Sequence, residues 1–377
     1  MRTAGARASS EERLAYWLMV LPAALIYLLV MAFPTAMSLV LSVSDFSGGS
    51  MFDRAANPWG FAGFGRYAEL FADPQFWVSL KNNVYIILVS VFGQIPLGFL
   101  FAYLIFRRLV RAPSFWQGIL YLPAIISTIV IGSLWGALFS PYGPIADFAN
   151  RLYLADFASR LRAILEAAPS FPPPASVIER IVALAGGNDA LQSAGLGGGA
   201  ADVADFLAGY SPAELSSAVG DLANLFAPRY SAAYMDSSDI AMLPVLFVIL
   251  WQWTGFYLII FLANMQRIDT QIIEAAKIDG AGEMKVLTRI VLPSQSGVVV
   301  TAAIFAISGS LRSFDVIWAM NGEKLATQVL SIYTYRKAFA ASPDYPLANA
   351  VSMIMVLVSL ALIAVTRAVE KRTGGKE

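Results

Sequence analysis

The chain of 377 residues balances 26 Lys and Arg against 26 Asp and Glu; 58% of its residues are hydrophobic and only 14% are charged. Zero net charge, with a charged fraction far below the ~25% of ordinary soluble domains, excludes a basic nucleic-acid binder and an acidic solubilising chain. The absence of Cys and His removes disulfides, thiolate chemistry, iron–sulfur and Cys-based zinc sites, and the side chain that titrates near neutrality.

Six windows longer than 20 residues contain no Asp, Glu, Lys or Arg: 14–44, 82–106, 112–146, 240–266, 290–311 and 345–366. Each supplies the ~20 apolar residues that cross a hydrocarbon core ~30 Å thick. The apolar runs are continuous rather than alternating, which predicts helices and not a barrel. The expected fold is all-α and polytopic, with transmembrane helices 1–3 in 14–140 and 4–6 in 240–368. The first window exceeds the core of a signal peptide, so Leu14 to Leu41 reads as a retained span. Trp17, Trp77, Trp116, Trp135, Trp251 and Trp318 sit near window ends, as rings anchored at headgroup depth do.

With the N-terminus cytoplasmic, the inner segments hold 14 basic residues and the two short outer loops, 45–81 and 312–344, hold 7. That excess predicts both termini inside, with cytoplasmic tails at 1–13 and 369–377.

Residues 141–239 form a long outer insertion with five basic and eleven acidic residues. Ile145, Phe148, Leu152, Phe157 and Leu161 recur at roughly helical spacing. Ser211-Pro212-Ala213-Glu214 is a capping-box signature, and Leu215, Val219, Leu222 and Phe226 then share one helix face. PPP at 172–174 and GGG at 197–199 punctuate the insertion. A small helical cap is expected. It either meets a soluble partner, or shields a pore mouth, or is a tolerated loop insertion.

Between windows four and five the chain reads EAAKIDGAGEMKVLTRIVLP, from Glu274 to Pro293. Asp269 or Thr270 can cap a first short helix carrying Ile272, Ile273, Ala275, Ala276 and Ile278. Gly280 after Asp279 permits a tight turn, and Gly282 adds a second. A second helix presents Met284, Leu287, Ile290 and Val291 before Pro293 ends it. The expected product, over 267–293, is a cytoplasmic helix–turn–helix shaped to dock into a groove on a partner; an amphipathic loop is the alternative. Glu274 can also pair with Lys277 at i+3, worth ~0.2–0.5 kcal/mol.

This loop resembles the EAA motif of binding-protein-dependent ABC importer permeases, whose pattern is EAA, three residues, Gly, nine residues, Ile, one residue, Leu-Pro. Glu274, Ala275, Ala276, Gly280, Ile290, Leu292 and Pro293 fall in register. The likeness extends through LPAALIYLLVMAFPTAMSLVLSVSDF, GFGRYAELFADPQFWVSLKNNVYIILVS and YLPAIISTIVIGSLWGALFSPYG. It continues in WTGFYLIIFLANMQ, FAISGSLRSFDVIWAM and LSIYTYRKAF. Over roughly 14–145 and 240–370 the chain is similar to the first-permease type of the carbohydrate uptake class, the maltose and glycerol-phosphate type. Two departures are the long insertion, which is not general in that class, and Asn321-Gly322-Glu323 where Gly-Gly-Pro is common.

The resemblance implies that Glu274, Ala275, Ala276, Asp279, Gly280, Ile290 and Pro293 couple the spans to a separate ATPase subunit. It further implies a second permease subunit, an extracytoplasmic substrate-binding protein and a sugar substrate in the lipid membrane. The chain has no G-x-x-x-x-G-K-[ST], so no cofactor is expected on it, and ATP and Mg belong to the partner ATPase. Without His or Cys a Ser triad has no ordinary base, and a transport subunit rather than an enzyme is expected. The windows carry no carboxylate, which disfavours a proton-coupled carrier.

Substrate handling then falls to neutral polar groups and aromatic faces. Candidates are Gln94, Gln252, Trp253, Thr254, Gly255, Tyr257 and Asn264, then Ser308, Ser310 and Ser313. The family lines its sugar path from the corresponding stretches Trp251–Leu258 and Ala306–Ser313, which adds Gly309. Each has an alternative as a helix-packing contact, Gly309 and Ser310 above all. Arg312 lies ~26 Å along a helix from Gln295, near a membrane interface, where pairing with Asp315 or snorkelling is the default and a gate role the alternative. Other readings are a permease for glycerol phosphate or another polar metabolite, a self-sufficient secondary carrier, or a membrane enzyme.

Overall fold

The computed structural model describes residues 10–53, 55, 57–140, 143–185, 195–196, 199–226 and 240–373. Residues 1–9 and 374–377 of the expected tails, and Gly197 and Gly198 of the glycine run, lie outside the described residues. Regular structure among these is helical, the one recorded β-bridge, Ser44 to Phe61, being isolated.

Helix α1 (Ser10–Tyr27) passes through a π turn (Leu28–Ala32) into α2 (Phe33–Ser42). After α3 (Gly65–Ala72), α4 (Pro74–Val89) continues through a π turn (Ser90–Gln94) into α5 (Ile95–Phe106). Next come α6 (Pro113–Ile125) and α7 (Thr128–Leu138). The insertion contributes α8 (Pro144–Glu166), α9 (Ala175–Ala185), α10 (Ala200–Ala208) and α11 (Leu215–Phe226). Helix α12 (Met242–Met265) leads to α13 (Thr270–Ile278), α14 (Glu283–Val286), a π turn (Leu287–Val291) and α15 (Leu292–Ser294). The chain closes with α16 (Ser296–Leu311), α17 (Asp315–Asn321), α18 (Leu330–Phe339) and α19 (Tyr345–Thr373).

Among the described residues, four helical stretches are long and apolar enough to cross a membrane: Tyr16–Ser42, Pro74–Phe106, Met242–Met265 and Tyr345–Ala368. The other two windows form bent pairs, α6 with α7 at 93° and Glu283–Ser294 with α16 at 67°. Six spans therefore result when each bent pair counts as one. The first bend follows from Ile126, which takes extended dihedrals (φ −71°, ψ 143°) just after Pro123 has removed a ladder donor from the last turn of α6. The second falls at Gln295 (φ −96°, ψ 3°), two residues after Pro293. The expected helix end at Pro293 is thus shifted to the residue where the backbone leaves helical geometry.

The chain divides into two compact units, Met1–Gly132 with Val245–Glu377, and Ser133–Pro244. The second unit folds around Phe157, Leu161 and Leu165 of α8, Ile178 and Ile181 of α9, Leu207 of α10 and Leu222 of α11. Its capping box forms as spaced: Ser211 N–H and Oγ–H both donate to Glu214 Oε2, at 2.9 and 2.8 Å. Phe148 and Leu152, grouped by spacing with the buried face of α8, are exposed instead. The core stripe starts one turn later, where α9 and α11 are available to cover it.

In the first unit, Ala102 of α5, Leu258, Phe261 and Met265 of α12, and Ala302 and Ala306 of α16 share one core with Ile273 and Val286. At the opposite end Leu70, Phe76, Leu330, Tyr333, Leu347 and Val351 make a second cluster. Between them the amides of α4 are satisfied by backbone from distant segments. Asn82 Nδ2 donates to the Gln328 carbonyl (2.8 Å), Asn83 Nδ2 donates to the Ser310 carbonyl (2.8 Å), and Asn83 Oδ1 accepts from Leu330 N–H (2.8 Å).

Close helix approach depends on missing side chains. A Cβ on Gly255 would collide with the Leu120 carbonyl oxygen, and one on Gly98 would stand 2.6 Å from Tyr257 Cβ. Gly255→Ala is therefore expected to cost ~1–3 kcal/mol by overpacking and to lower the thermal midpoint of the detergent-purified protein. Leu161→Ala is expected to destabilise the second unit by ~2–5 kcal/mol, read as faster amide exchange across α8, α9 and α11. Phe148→Ala on the same helix should leave that exchange unchanged.

Candidate functional site

A cavity of about 280 Å³ opens between α12, α16, the Ser90–Gln94 π turn and the start of α17. Trp253, Phe256, Tyr257, Phe305 and Phe314 supply aromatic walls, and Ser90, Gln94, Thr128, Ser310 and Ser313 supply neutral polar groups. Aromatic faces with few convergent polar groups are the usual make-up of a small-molecule site. Of the path residues picked from sequence, Trp253, Tyr257, Gly309, Ser310 and Ser313 line this cavity, whereas Gln252 and Gly255 do not. Gly255 is held by packing against the Leu120 backbone, as above.

Gly309 reverses the packing alternative, whereas Ser310, Gln94, Thr254 and Asn264 follow it. Gly309 has nothing within 4 Å of where a Cβ would sit, so it is open space and not a helix contact. Ser310, by contrast, is buried; its hydroxyl donates to the Ala306 carbonyl at 2.6 Å, with Ser90 Oγ at 3.2 Å. Gln94 Nε2 donates to the Ile249 carbonyl (2.7 Å) and Thr254 Oγ1 to the Leu250 carbonyl (2.6 Å). Asn264 Nδ2 donates to Gln295 Oε1 at 3.0 Å. Gln252 Nε2 reaches Thr128 Oγ1 at 3.3 Å, and its buried Oε1 has no hydrogen-bond partner among the described residues.

Arg312 and Asp315 both border the cavity, but they form no ion pair among the described residues. Arg312 Nε instead donates to the Ser308 carbonyl at 3.3 Å. The guanidinium is exposed, and the expected i, i+3 pair with Asp315 is not made among the described residues.

The segment 267–293 forms a helical hairpin. The two capping options resolve to Asp269, whose side chain accepts from Gln271 N–H at 2.9 Å. Gly280 has φ +79°, a backbone region that other residues rarely adopt, and this turns α13 toward α14. The hairpin has two apolar faces. Ile273 and Val286 are buried in the core with α5, α12 and α16, while Ile272, Ile278 and Met284 project outward, Ile278 at 88% exposure. Glu274, Ala275, Asp279 and Gly280 are exposed on the outward side, Ala276 is half-buried, Ile290 packs against the core and Pro293 is exposed. Glu274 has no hydrogen-bond or ion-pair partner among the described residues. Lys277, its expected i+3 partner, pairs with Glu283 at 2.9 Å instead.

Glu283 was not singled out by the motif, yet it gathers the most polar contacts in the hairpin. Arg107 Nη2 donates to its Oε1 at 3.0 Å and Arg107 Nε to its Oε2 at 3.2 Å. Tyr103 OH reaches Oε2 at 2.8 Å. The available signal was an acid opening a short helix after Gly282 and a basic residue ending the second window. Glu283 shares the loop with Lys285 and Arg289, before the charge-free window that begins at Ile290. Hydrogen bonds from Arg107, then Lys277, hold its carboxyl down at about 2, against an ordinary 4.5. The attachment it makes is therefore complete above about pH 4.5 and is lost as pH falls through about 2.

Residues 74–375 match the family described as binding-protein-dependent transport system inner membrane component. The lactose transport system permease protein LacF of Rhizobium radiobacter is 24% identical, covering 90% of this chain and 89% of its own. A probable ABC transporter permease protein of Pyrococcus horikoshii is 24% identical over 92% of each chain. The diacetylchitobiose uptake system permease protein NgcF of Streptomyces coelicolor is 33% identical over 38% of this chain and 42% of its own. Among solved structures, a bacterial ABC transporter that imports the acidic polysaccharide alginate has the same fold, with a TM-score of 0.62 at 18% identity over 96% of both chains. The EAA register, the bent and straight spans and the match over 74–375 agree: the chain belongs to the binding-protein-dependent transport system inner membrane components, multi-pass permease subunits of ABC importers.

Proposed function

We propose that this permease carries a sugar or oligosaccharide, delivered by an extracytoplasmic binding protein, through the aromatic cavity between α12 and α16. The observation that carries the reading is the cavity lining: five aromatic rings with neutral hydroxyl and amide groups around the open wall at Gly309. Aromatic faces cover the C–H surfaces of a sugar ring while hydroxyls and amides meet its edges. The lactose and diacetylchitobiose systems named for the relatives take substrates of this class.

A second permease completes the pathway, and two ATPase subunits hold the ATP and Mg. The exposed side of the hairpin, Glu274 to Gly280 with Ile278 and Met284, receives the ATPase. ATP-driven approach of the ATPases displaces the hairpin and reorients the spans, a rigid-body switch between two packed arrangements. Both termini lie in the cytoplasm, as the basic-residue excess of the inner segments implies.

The test is reconstitution of the full complex in liposomes with radiolabelled sugars. Glu274→Ala with Gly280→Pro is expected to release the ATPase on affinity purification and to abolish ATP-dependent uptake. Uptake by this chain alone, driven by an ion gradient, would defeat the reading. Gly309→Leu should fill the cavity and cut uptake at least about tenfold, some 1.4 kcal/mol. The thermal midpoint should hold or rise, because replacing a helical glycine in open space removes no contact.

A further inference from the structure

Glu283 opens the second arm of the hairpin and lies against the end of α5. Its two carboxylate oxygens take a two-point contact from Arg107, at 3.0 and 3.2 Å, which fixes orientation as well as distance. Tyr103 OH touches both the carboxylate (2.8 Å) and the Glu283 backbone carbonyl (3.1 Å). Lys277 reaches the same carboxylate from the first arm at 2.9 Å. One side chain thus ties both arms of the hairpin to the second span. An exposed single ion pair would contribute little, but here the Arg107 side chain is only 16% exposed and the pair is part of a four-residue cluster. Ile273 and Val286 seat the hairpin on the same span from the apolar side.

The other end of that span is anchored too. Asn82 and Asn83 bond the segments at Gln328, Leu330 and Ser310, all buried. Between the two anchorages the helix has one interruption, the π turn Ser90–Gln94, and both Ser90 and Gln94 line the cavity. Single π turns inside α-helices are frequent at functional sites because their bonds can shift register at small cost. A helix held at both ends and irregular only in the middle delivers displacement of one end to that irregular turn.

We infer that Glu283 is a positioning residue of transport: with Arg107 and Tyr103 it latches the hairpin to the second span, so that movement of the hairpin reaches the π turn in the cavity wall. This rests on the proposed reading of the hairpin as the receiver of ATPase motion. Glu274 and its neighbours take up the force, and Glu283 hands it to one particular span.

The experiment uses the complete reconstituted complex with its ATPase, second permease and binding protein. ATPase retained on the tagged permease, ATP hydrolysis and sugar uptake are measured together. Glu283→Gln keeps the shape and removes the charge. It is expected to retain the ATPase fully while uptake per ATP hydrolysed falls roughly tenfold, within the range of coupling constants between linked sites. The reciprocal pair Glu283→Arg with Arg107→Glu should restore a large part of that ratio, a rescue that a merely stabilising contact at the partner surface would not produce. Tyr103→Phe removes one hydroxyl and should lower the ratio by a smaller factor. Should Glu283→Gln lose the ATPase and the reciprocal pair restore it, the Tyr103→Phe ratio decides alone. An unchanged uptake per ATP in Glu283→Gln, or in Tyr103→Phe, would overturn the latch, as would loss of ATPase retention in Glu283→Gln that the reciprocal pair does not repair. A wild-type complex without ATP-dependent uptake would instead defeat the functional reading on which the latch rests.

Discussion

Amide side chains inside an apolar helix must be hydrogen-bonded by protein, because an unmade bond there costs ~1–3 kcal/mol and hydrocarbon offers no substitute. Asn82, Asn83 and Gln94 meet this requirement with backbone groups of Ala326, Gln328, Leu330, Ser310 and Ile249, segments more than 150 residues away in the chain. Those bonds draw α12, α16 and the Leu325–Thr327 turn around one helix. The second span is consequently the axis of the first unit, and the cavity and the hairpin both take their positions from it.

The cavity shows how the same residue type serves opposite ends. Gly255 and Gly98 bring helices into contact that a single methyl group would separate, while Gly309 leaves a wall open. Polar groups divide the same way. Thr254 and Ser310 are satisfied by carbonyls one turn earlier in their own helices, and Gln94 by the backbone of α12. What faces the open volume is chiefly aromatic surface, with Ser313, Arg312 and Asp315 at its edge.

In the hairpin, apolar and charged contacts act together. Burial of Ile273 and Val286 seats it on the core, but apolar contact is non-directional and leaves sliding open. The two-point contact of Arg107 on Glu283 fixes the angle. The outward face leaves Glu274 without a partner among the described residues and Ile278 exposed.

Windows without charge, the EAA spacing, the turn at Gly280 and the capping box at Ser211 were legible from the sequence because each is a local pattern: apolar run length, a glycine that must take positive φ, an acceptor placed before a helix. The family, and with it the membrane, followed from the same local register. The bends at Ile126 and Gln295 were not legible, since hydropathy averages over a window and is blind to one residue leaving helical dihedrals. Nor was the division of Trp253, Tyr257 and Gly309 from Gln252 and Gly255, because neighbours on one helix face different partners. Glu283 escaped for the same reason: its meaning lies in Arg107 and Tyr103, over 170 residues away. Local pattern determined which segments are helices and where the 267–293 loop turns back; only the tertiary structure, by satisfying buried amides and a carboxylate across the chain, decided which side chains meet the cavity and which span the loop is fastened to.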